Sequence, residues 1–151
     1  MKKEKIQLQA YSVRDQLQED FFGTLKKIRE YGYGGVEFAG LYGNDPLEVK
    51  KACEEAGLVP VSAHVPFTEL KDKMEETIDC YKKLGVKYVV IPSLSSEHRP
   101  GNPGFQTVIE GARRIGEALA REGMVLQYHN HDFEFVKIDG EYALDILYKE
   151  V

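Results

Sequence analysis

Four times along this chain an amphipathic helical stretch runs into a glycine, and a short apolar strand follows within a few residues. The closing glycines are Gly32, Gly57, Gly85 and Gly123. Glycine suits the left-handed position just past a helix end, where other residues strain. The strands read as Ile6–Tyr11, Gly35–Gly40, Val59–His64, Tyr88–Pro92 and Met124–His131. Between them the apolar residues recur at helical spacing. Phe22, Leu25 and Ile28 follow Asp20, a good N-cap residue. Val49, Ala52, Cys53 and Ala56 follow Asp45-Pro46, an N-cap and first-turn proline. Leu70, Met74, Ile78, Tyr81 and Leu84 mark a third helix. Phe105, Val108, Ile109, Ala112, Ile115 and Leu119 mark the most regular one. Asp139-Gly140 reads as a turn, and Leu144, Leu147, Tyr148 and Val151 begin a fifth helix. Strict alternation of strand and helix predicts an α/β fold with parallel strands and right-handed crossovers. No low-complexity linker interrupts the pattern, so residues 1–151 read as a single domain.

Two architectures accommodate five such units. A doubly wound open sheet has about this length, whereas a closed (β/α)₈ barrel needs roughly 250 residues. The strand patterning favours barrel walls. Ile6, Leu8 and Ala10 oppose Gln7, Gln9 and Tyr11; Val36 and Phe38 oppose Glu37; Val59, Val61 and Ala63 oppose Ser62 and His64; Met124, Leu126 and Tyr128 oppose Gln127, His129 and His131. A sheet covered by helices on both faces should give near-continuous apolar runs, and only Tyr88–Pro92 does so. One apolar face and one polar face gathered toward the strand ends predict a partial barrel of five strand–helix units, with function at the C-terminal strand ends.

Composition narrows the partners. The chain has 151 residues, 42% hydrophobic and 30% charged, with a formal net charge of −5. That balance argues against nucleic acid or an anionic membrane surface as partner, since both call for a basic face. No apolar run approaches the ~20 residues of a membrane span. The start, MKKEKIQLQAY, has no apolar segment of the signal-peptide kind, and Cys53 and Cys80 have no metal-type spacing. A reducing, cytoplasmic setting is the expectation.

Several residues can carry chemistry. The densest segment is Tyr128–Phe135, YHNHDFEF, where His129 and His131 are two apart and share a strand face. Two imidazoles near a carboxylate can bind a divalent metal or move protons; ordinary hydrogen-bonded histidines are the plainer alternative. Glu37, flanked by Val36 and Phe38, needs a partner or a task if it is buried. His64 ends its strand on the polar parity. Arg14, in the loop after the first strand, can pair a carboxylate or phosphate. His98-Arg99, in the loop after the fourth strand, is a weaker candidate of the same kind. No GxGxxG, Walker A, GxSxG or CxxC pattern occurs.

The ordered segments YSVRD (Tyr11–Asp15), GYGGVEFAG (Gly32–Gly40), SAHVPF (Ser62–Phe67), LGVKYVVIP (Leu84–Pro92) and YHNHDFEF (Tyr128–Phe135) resemble the xylose-isomerase-like sugar phosphate isomerase/epimerase family. The resemblance implies a TIM barrel with a divalent metal, Mn, Mg, Co or Zn, at its C-terminal mouth. It implies proton abstraction next to a carbonyl of a small sugar or sugar derivative. By position it implies Glu37, His64 and Glu134 as catalytic candidates, and Tyr11, Arg14, Asn130 and His131 as substrate-binding ones. It implies His129 as metal ligand where many members carry glutamate, so one negative charge is lost there. The family's remaining ligands come from strands six to eight, which lie beyond these five units. The expectation is therefore a partial barrel that is inactive alone, need bind no metal, and self-associates through the unpaired sheet edges. The alternative is a non-catalytic α/β binding or self-associating half-barrel module.

Overall fold

The computed structural model describes residues 6–151; the leader reading of the first five residues lies outside them. In chain order the elements are β1 (Gln7–Gln9), a 3₁₀ turn (Ala10–Val13), α1 (Arg14–Glu19), α2 (Phe21–Glu30), β2 (Gly35–Phe38), α3 (Pro46–Ala56) and β3 (Val59–His64). There follow α4 (Phe67–Asp72), α5 (Met74–Leu84), β4 (Tyr88–Ile91), a 3₁₀ turn (Ser96–His98) and α6 (Gly104–Arg121). The chain finishes with β5 (Val125–Tyr128), a 3₁₀ turn (Phe133–Phe135), β6 (Lys137–Ile138), β7 (Glu141–Tyr142) and α7 (Ala143–Glu150). These residues fall into two compact units that alternate along the sequence. One comprises the chain up to His64 with Asp79–Tyr88, the other Val65–Ile78 with Val89–Val151.

In the first unit, β1, β2 and β3 form a parallel sheet with Gln9 opposite Glu37 and Glu37 opposite Ser62. A bulge between Val36 and Glu37 shifts the register, so that Val36 faces Pro60 but Glu37 faces Ser62. The shift puts Ser62 rather than Val61 beside the carboxylate. The opposite face is apolar. Val36, Phe38 and Ala63 are fully buried, and Phe21 of α2 stacks on Phe38 with ring centroids 6.4 Å apart. Leu25, Ile28, Val49 and Cys53 extend this core. Gly35 is required by close approach: a Cβ there would lie 2.7 Å from the carbonyl oxygen of Val59.

Local sequence sets the helix ends. The Asp45 carboxylate accepts from the backbone N–H groups of Leu47 at 2.9 Å and Glu48 at 3.1 Å, with Pro46 in the first turn. Gly57 ends α3 in the left-handed conformation, φ 73°. Asp45→Ala is expected to lower stability by about 1 kcal/mol, read as a shifted urea midpoint with unchanged slope. Asp20 caps α2 as its sequence suggests, accepting from Gly23 N–H. The preceding segment adds a short helix, α1, because Asp20 is extended (φ −146°, ψ 90°) and separates the two. The helix expected after β3 is likewise two, α4 and α5, parted at Lys73 (φ −131°, ψ 40°).

In the second unit β5 lies beside β4, with the N–H of His129 donating to the carbonyl of Ile91 at 3.0 Å. The apolar stripe of α6 is buried along its whole length, as its spacing predicts. α4 crosses α6 closely at Gly111, where a Cβ would meet the Phe67 ring at 2.7 Å. Asp139 and Gly140 form the tip of the β6–β7 hairpin, with φ 50° and 90°, the positive pair a tight two-residue hairpin needs. β5 is shorter than expected. It ends at Tyr128; His129 still bonds to Ile91, and the chain turns away at Asn130 and His131. No helix among the described residues is long and apolar enough to cross a membrane.

Candidate functional site

The C-terminal end of the first unit's sheet carries one polar row across three strands. Glu37 is at its centre. Gln9 Nε2 donates to Glu37 Oε1 at 3.1 Å, and Ser62 Oγ donates to Oε2 at 2.7 Å. His64 Nε2 lies 3.0 Å from Oε1. The arrangement follows from strand geometry. Residues of equal parity share a face, and the bulge brings Ser62 and His64 into line with Glu37. The close His64 contact favours the ionised carboxylate most, and the two donors Gln9 and Ser62 favour it as well. Burial opposes it, and Ser62 and Gln9 add to the lowering. The outcome is a Glu37 pKa held down to about 2. The Glu37 side chain retains 24% of its surface and His64 10%, so the pair is sheltered yet reachable. Sequence parity had placed Gln9 and Ser62 on this face, but nothing in it singled them out as the partners of Glu37.

In the second unit the loop after β5 is organised by Glu134. This carboxylate has no exposed surface. One oxygen accepts from the Tyr128 hydroxyl at 2.5 Å and the other from the His131 backbone N–H at 2.7 Å. Burial, then the bond to Glu134, push the Tyr128 hydroxyl pKa upward. Glu134, expected among the catalytic carboxylates, is enclosed here with both oxygens accepting hydrogen bonds inside the loop. The same bonds explain why β5 stops early: they draw His131 into the turn instead of along the strand. The His129 and His131 rings still lie together, with centroids 5.1 Å apart, and His131 stacks on Phe133 at 5.4 Å and 8°. Asn130 is exposed, its amide donating to the carbonyl of His131 at 3.1 Å.

The loop after β1 is a smaller cluster. Tyr11 is 57% exposed, and the Arg14 guanidinium lies 4.7 Å from its ring centre while donating to its carbonyl at 3.1 Å. Asp15 is 3.9 Å from Arg14. The two expected substrate-binding residues are therefore together, with Arg14 turned onto Tyr11.

Among the described residues no three His, Cys, Asp or Glu side chains are grouped so as to hold a metal ion. His129 has a ring neighbour, but the nearby carboxylate of Glu134 is spent on Tyr128 and His131. The divalent metal implied by the sequence does not find a full donor set in these residues.

Comparison with known proteins is decided by a family model for the xylose isomerase-like TIM barrel, which matches residues 25–148. The chain belongs to the xylose isomerase-like TIM-barrel family. A search of curated proteins gave no match. Among solved structures, a sugar phosphate isomerase/epimerase from Parabacteroides distasonis is 27% identical, with a TM-score of 0.78. It aligns with 97% of this chain and 61% of its own. The 3-keto-D-glucoside 4-epimerase of E. coli is 21% identical with a TM-score of 0.58, over 86% of this chain and 59% of its own. A family 2 AP endonuclease from Brucella melitensis is 19% identical with a TM-score of 0.58, over 72% of this chain and 48% of its own. The last two are likenesses of fold. This chain thus spans about three fifths of the first relative's length. Membership of the family makes the five strand–helix units a partial TIM barrel, whose functional end is where the strands finish. Glu37 and His64 sit at or next to such finishes, and His129–His131 directly follow one.

Proposed function

We propose that this chain carries part of the chemistry of a sugar isomerase or epimerase, removing a proton next to a carbonyl through the Glu37–His64 pair. The observation that supports it most is the row of Gln9, Glu37, Ser62 and His64 on one sheet face at the strand ends. Its chemistry divides the roles. A carboxylate held at a pKa of about 2 is a weak base at neutral pH and a strong hydrogen-bond acceptor. Glu37 therefore orients the imidazole and accepts from a sugar hydroxyl at its remaining lone pair. His64 takes the proton from the carbon beside the carbonyl. The C–H electron pair moves into an enediolate; in isomerisation the proton returns to the neighbouring carbon while the hydroxyl proton passes to the former carbonyl oxygen, and in epimerisation a proton from solvent returns to the opposite face of the same carbon. The imidazolium formed beside Glu37 is stabilised by the carboxylate as it appears.

Divalent-metal dependence, with His129 as one ring ligand, belongs to the same proposal for the intact family fold. The ligand is a small sugar or sugar derivative, not nucleic acid or a membrane, and self-association through the unpaired sheet edges belongs to the same proposal.

The test is deuterium wash-in beside the carbonyl of a panel of keto sugars in D₂O, followed by proton NMR. This reading requires exchange in the wild-type chain, against the expectation that five units alone are inactive, and a fall of at least ~100-fold in both Glu37→Gln and His64→Phe. Equal exchange in all three would remove these residues from the chemistry. Sugar binding at this face without any exchange would favour the second reading, a non-catalytic binding module.

A further inference from the structure

Arg99 lies in the loop after β4 and is the arginine for which a ligand, and not an acid of this chain, best accounts. Its Nε donates to the carbonyl of Leu94 at 3.3 Å, and its guanidinium carbon sits 4.3 Å from the centre of the Phe133 ring. The segment before it is itself tied down. His98 Nδ1 is 2.8 Å from Ser95 Oγ, and its ring packs edge-on against Phe67 at 5.5 Å. The Asn102 amide donates to the carbonyl of Ser96 at 2.8 Å. An arginine side chain carries up to ~2 kcal/mol of rotamer entropy, so a solvated one gains little from being fixed in this way.

No carboxylate among the described residues comes within ion-pair distance of Arg99. Arg14, Arg113 and Arg121 each do have one, at 3.9, 2.9 and 3.7 Å. The chain has 25 acidic residues against 20 basic ones, so acids are in ample supply. Glu134, next to Phe133 in sequence, offers nothing, because both its oxygens are taken inside the loop. What shares the Phe133 ring with Arg99 is an imidazole. His131 is stacked on it at 8° and 5.4 Å, with His129 beside His131. The result is a guanidinium with its terminal N–H groups uncommitted, on the same aromatic platform as an exposed ring that can donate a hydrogen bond.

We propose that Arg99, on the Phe133 platform with His131, binds an anionic group, phosphate or carboxylate, of the sugar derivative this chain handles. Phosphate and carboxylate both match the forked donor geometry of arginine, and both accept from an imidazole N–H. The ring contact and the bond to Leu94 hold the guanidinium in place before the anion arrives. The word sugar rests on the function proposed above; the anion site does not.

The test uses the full chain and the ring-proton NMR signals of His131. The probes are inorganic phosphate, ribose 5-phosphate, glucuronate and ribose. Ribose 5-phosphate is expected to shift the His131 signals and to bind at least ~10-fold more weakly to Arg99→Gln, about 1.4 kcal/mol. Arg114→Gln, at an exposed position on α6, should leave binding unchanged. Arg99→Lys, which keeps the charge but loses the fork, should fall between. Glucuronate binding more tightly than ribose 5-phosphate identifies the anion as carboxylate, and the reverse order identifies phosphate. Equal binding to wild type and Arg99→Gln overturns the proposal, as does ribose binding as tightly as ribose 5-phosphate. Arg99-dependent binding of inorganic phosphate in a chain that exchanges no sugar proton would uphold the anion site and count against the sugar chemistry, so the two can fail separately.

Discussion

Acidification from about pH 5 to pH 2 is expected to cost the protein about 3 kcal/mol through Glu37 alone. The folded-state pKa of Glu37 is about 2, against an ordinary value of 4.5. Its folded value is the lower of the two, so the ionised form is favoured by folding. The stabilisation is fully present above the unfolded-state value. It fades as pH falls below 4.5, where the unfolded chain takes up a proton that the folded chain refuses, and it is gone once pH falls through the folded-state value. The full contribution is somewhat above ~3 kcal/mol, and the window from about pH 5 down to the folded-state value releases about 3 kcal/mol of it. Urea unfolding of wild type and Glu37→Gln at several pH values isolates this contribution, since other acids titrate in both. The stability difference between the two proteins should shrink by about 3 kcal/mol across that range. A difference that stays constant with pH would mean that Gln9, Ser62 and His64 do not hold the carboxylate as their distances indicate. Glu37→Gln would still present an oxygen to Ser62, so gross unfolding is not the expected result and the pH dependence remains readable.

Alternation and capping made the fold legible. Asp20, Asp45 and Gly57 act where their chemistry predicts, and the α6 stripe is buried residue for residue. Strand parity also located the Glu37 face correctly, because one residue of register decides which side a strand shows. What the sequence could not carry was the long-range part. The bulge opposite Val36–Glu37 is set by the pairing of two strands, and it selects Ser62 over Val61 as the neighbour of the carboxylate. The early end of β5 was hidden for a related reason. Period-two spacing continues through His129 and His131, but Glu134 reaches back three residues to the N–H of His131 and bends the chain away. A local hydrogen bond to a buried carboxyl group outweighed the strand pattern. Arg99 and Phe133 are separated by a whole helix and strand in sequence, and their stacking leaves no trace in spacing. The family likeness supplied position-by-position roles, and the structure adds to Glu134 a set of hydrogen bonds that hold its own motif in shape.

Glu134→Ala should therefore act on the loop before it acts on any chemistry, with a loss of about 3 kcal/mol in stability. The substitution strips the acceptor from the Tyr128 hydroxyl and from the His131 N–H, and an enclosed donor left unpaired costs about 1–3 kcal/mol. Glu134→Gln keeps the shape and one carbonyl oxygen. Its amide nitrogen can face the tyrosine, whose hydroxyl can turn to accept, so a loss of about 1 kcal/mol is expected there. The decisive readout is hydrogen exchange at the His131 amide. Protection should fall sharply in Glu134→Ala and remain largely intact in Glu134→Gln. Unchanged protection in the alanine variant would show that packing, not the carboxylate, shapes the loop. If protection is lost, His131 leaves its place on Phe133, and the anion loses the donor beside Arg99. Anion binding should then weaken in Glu134→Ala although neither Arg99 nor His131 has been altered, whereas Glu134→Gln should bind as the wild type does. A buried carboxyl group would in that way set the geometry of the groups that meet the ligand.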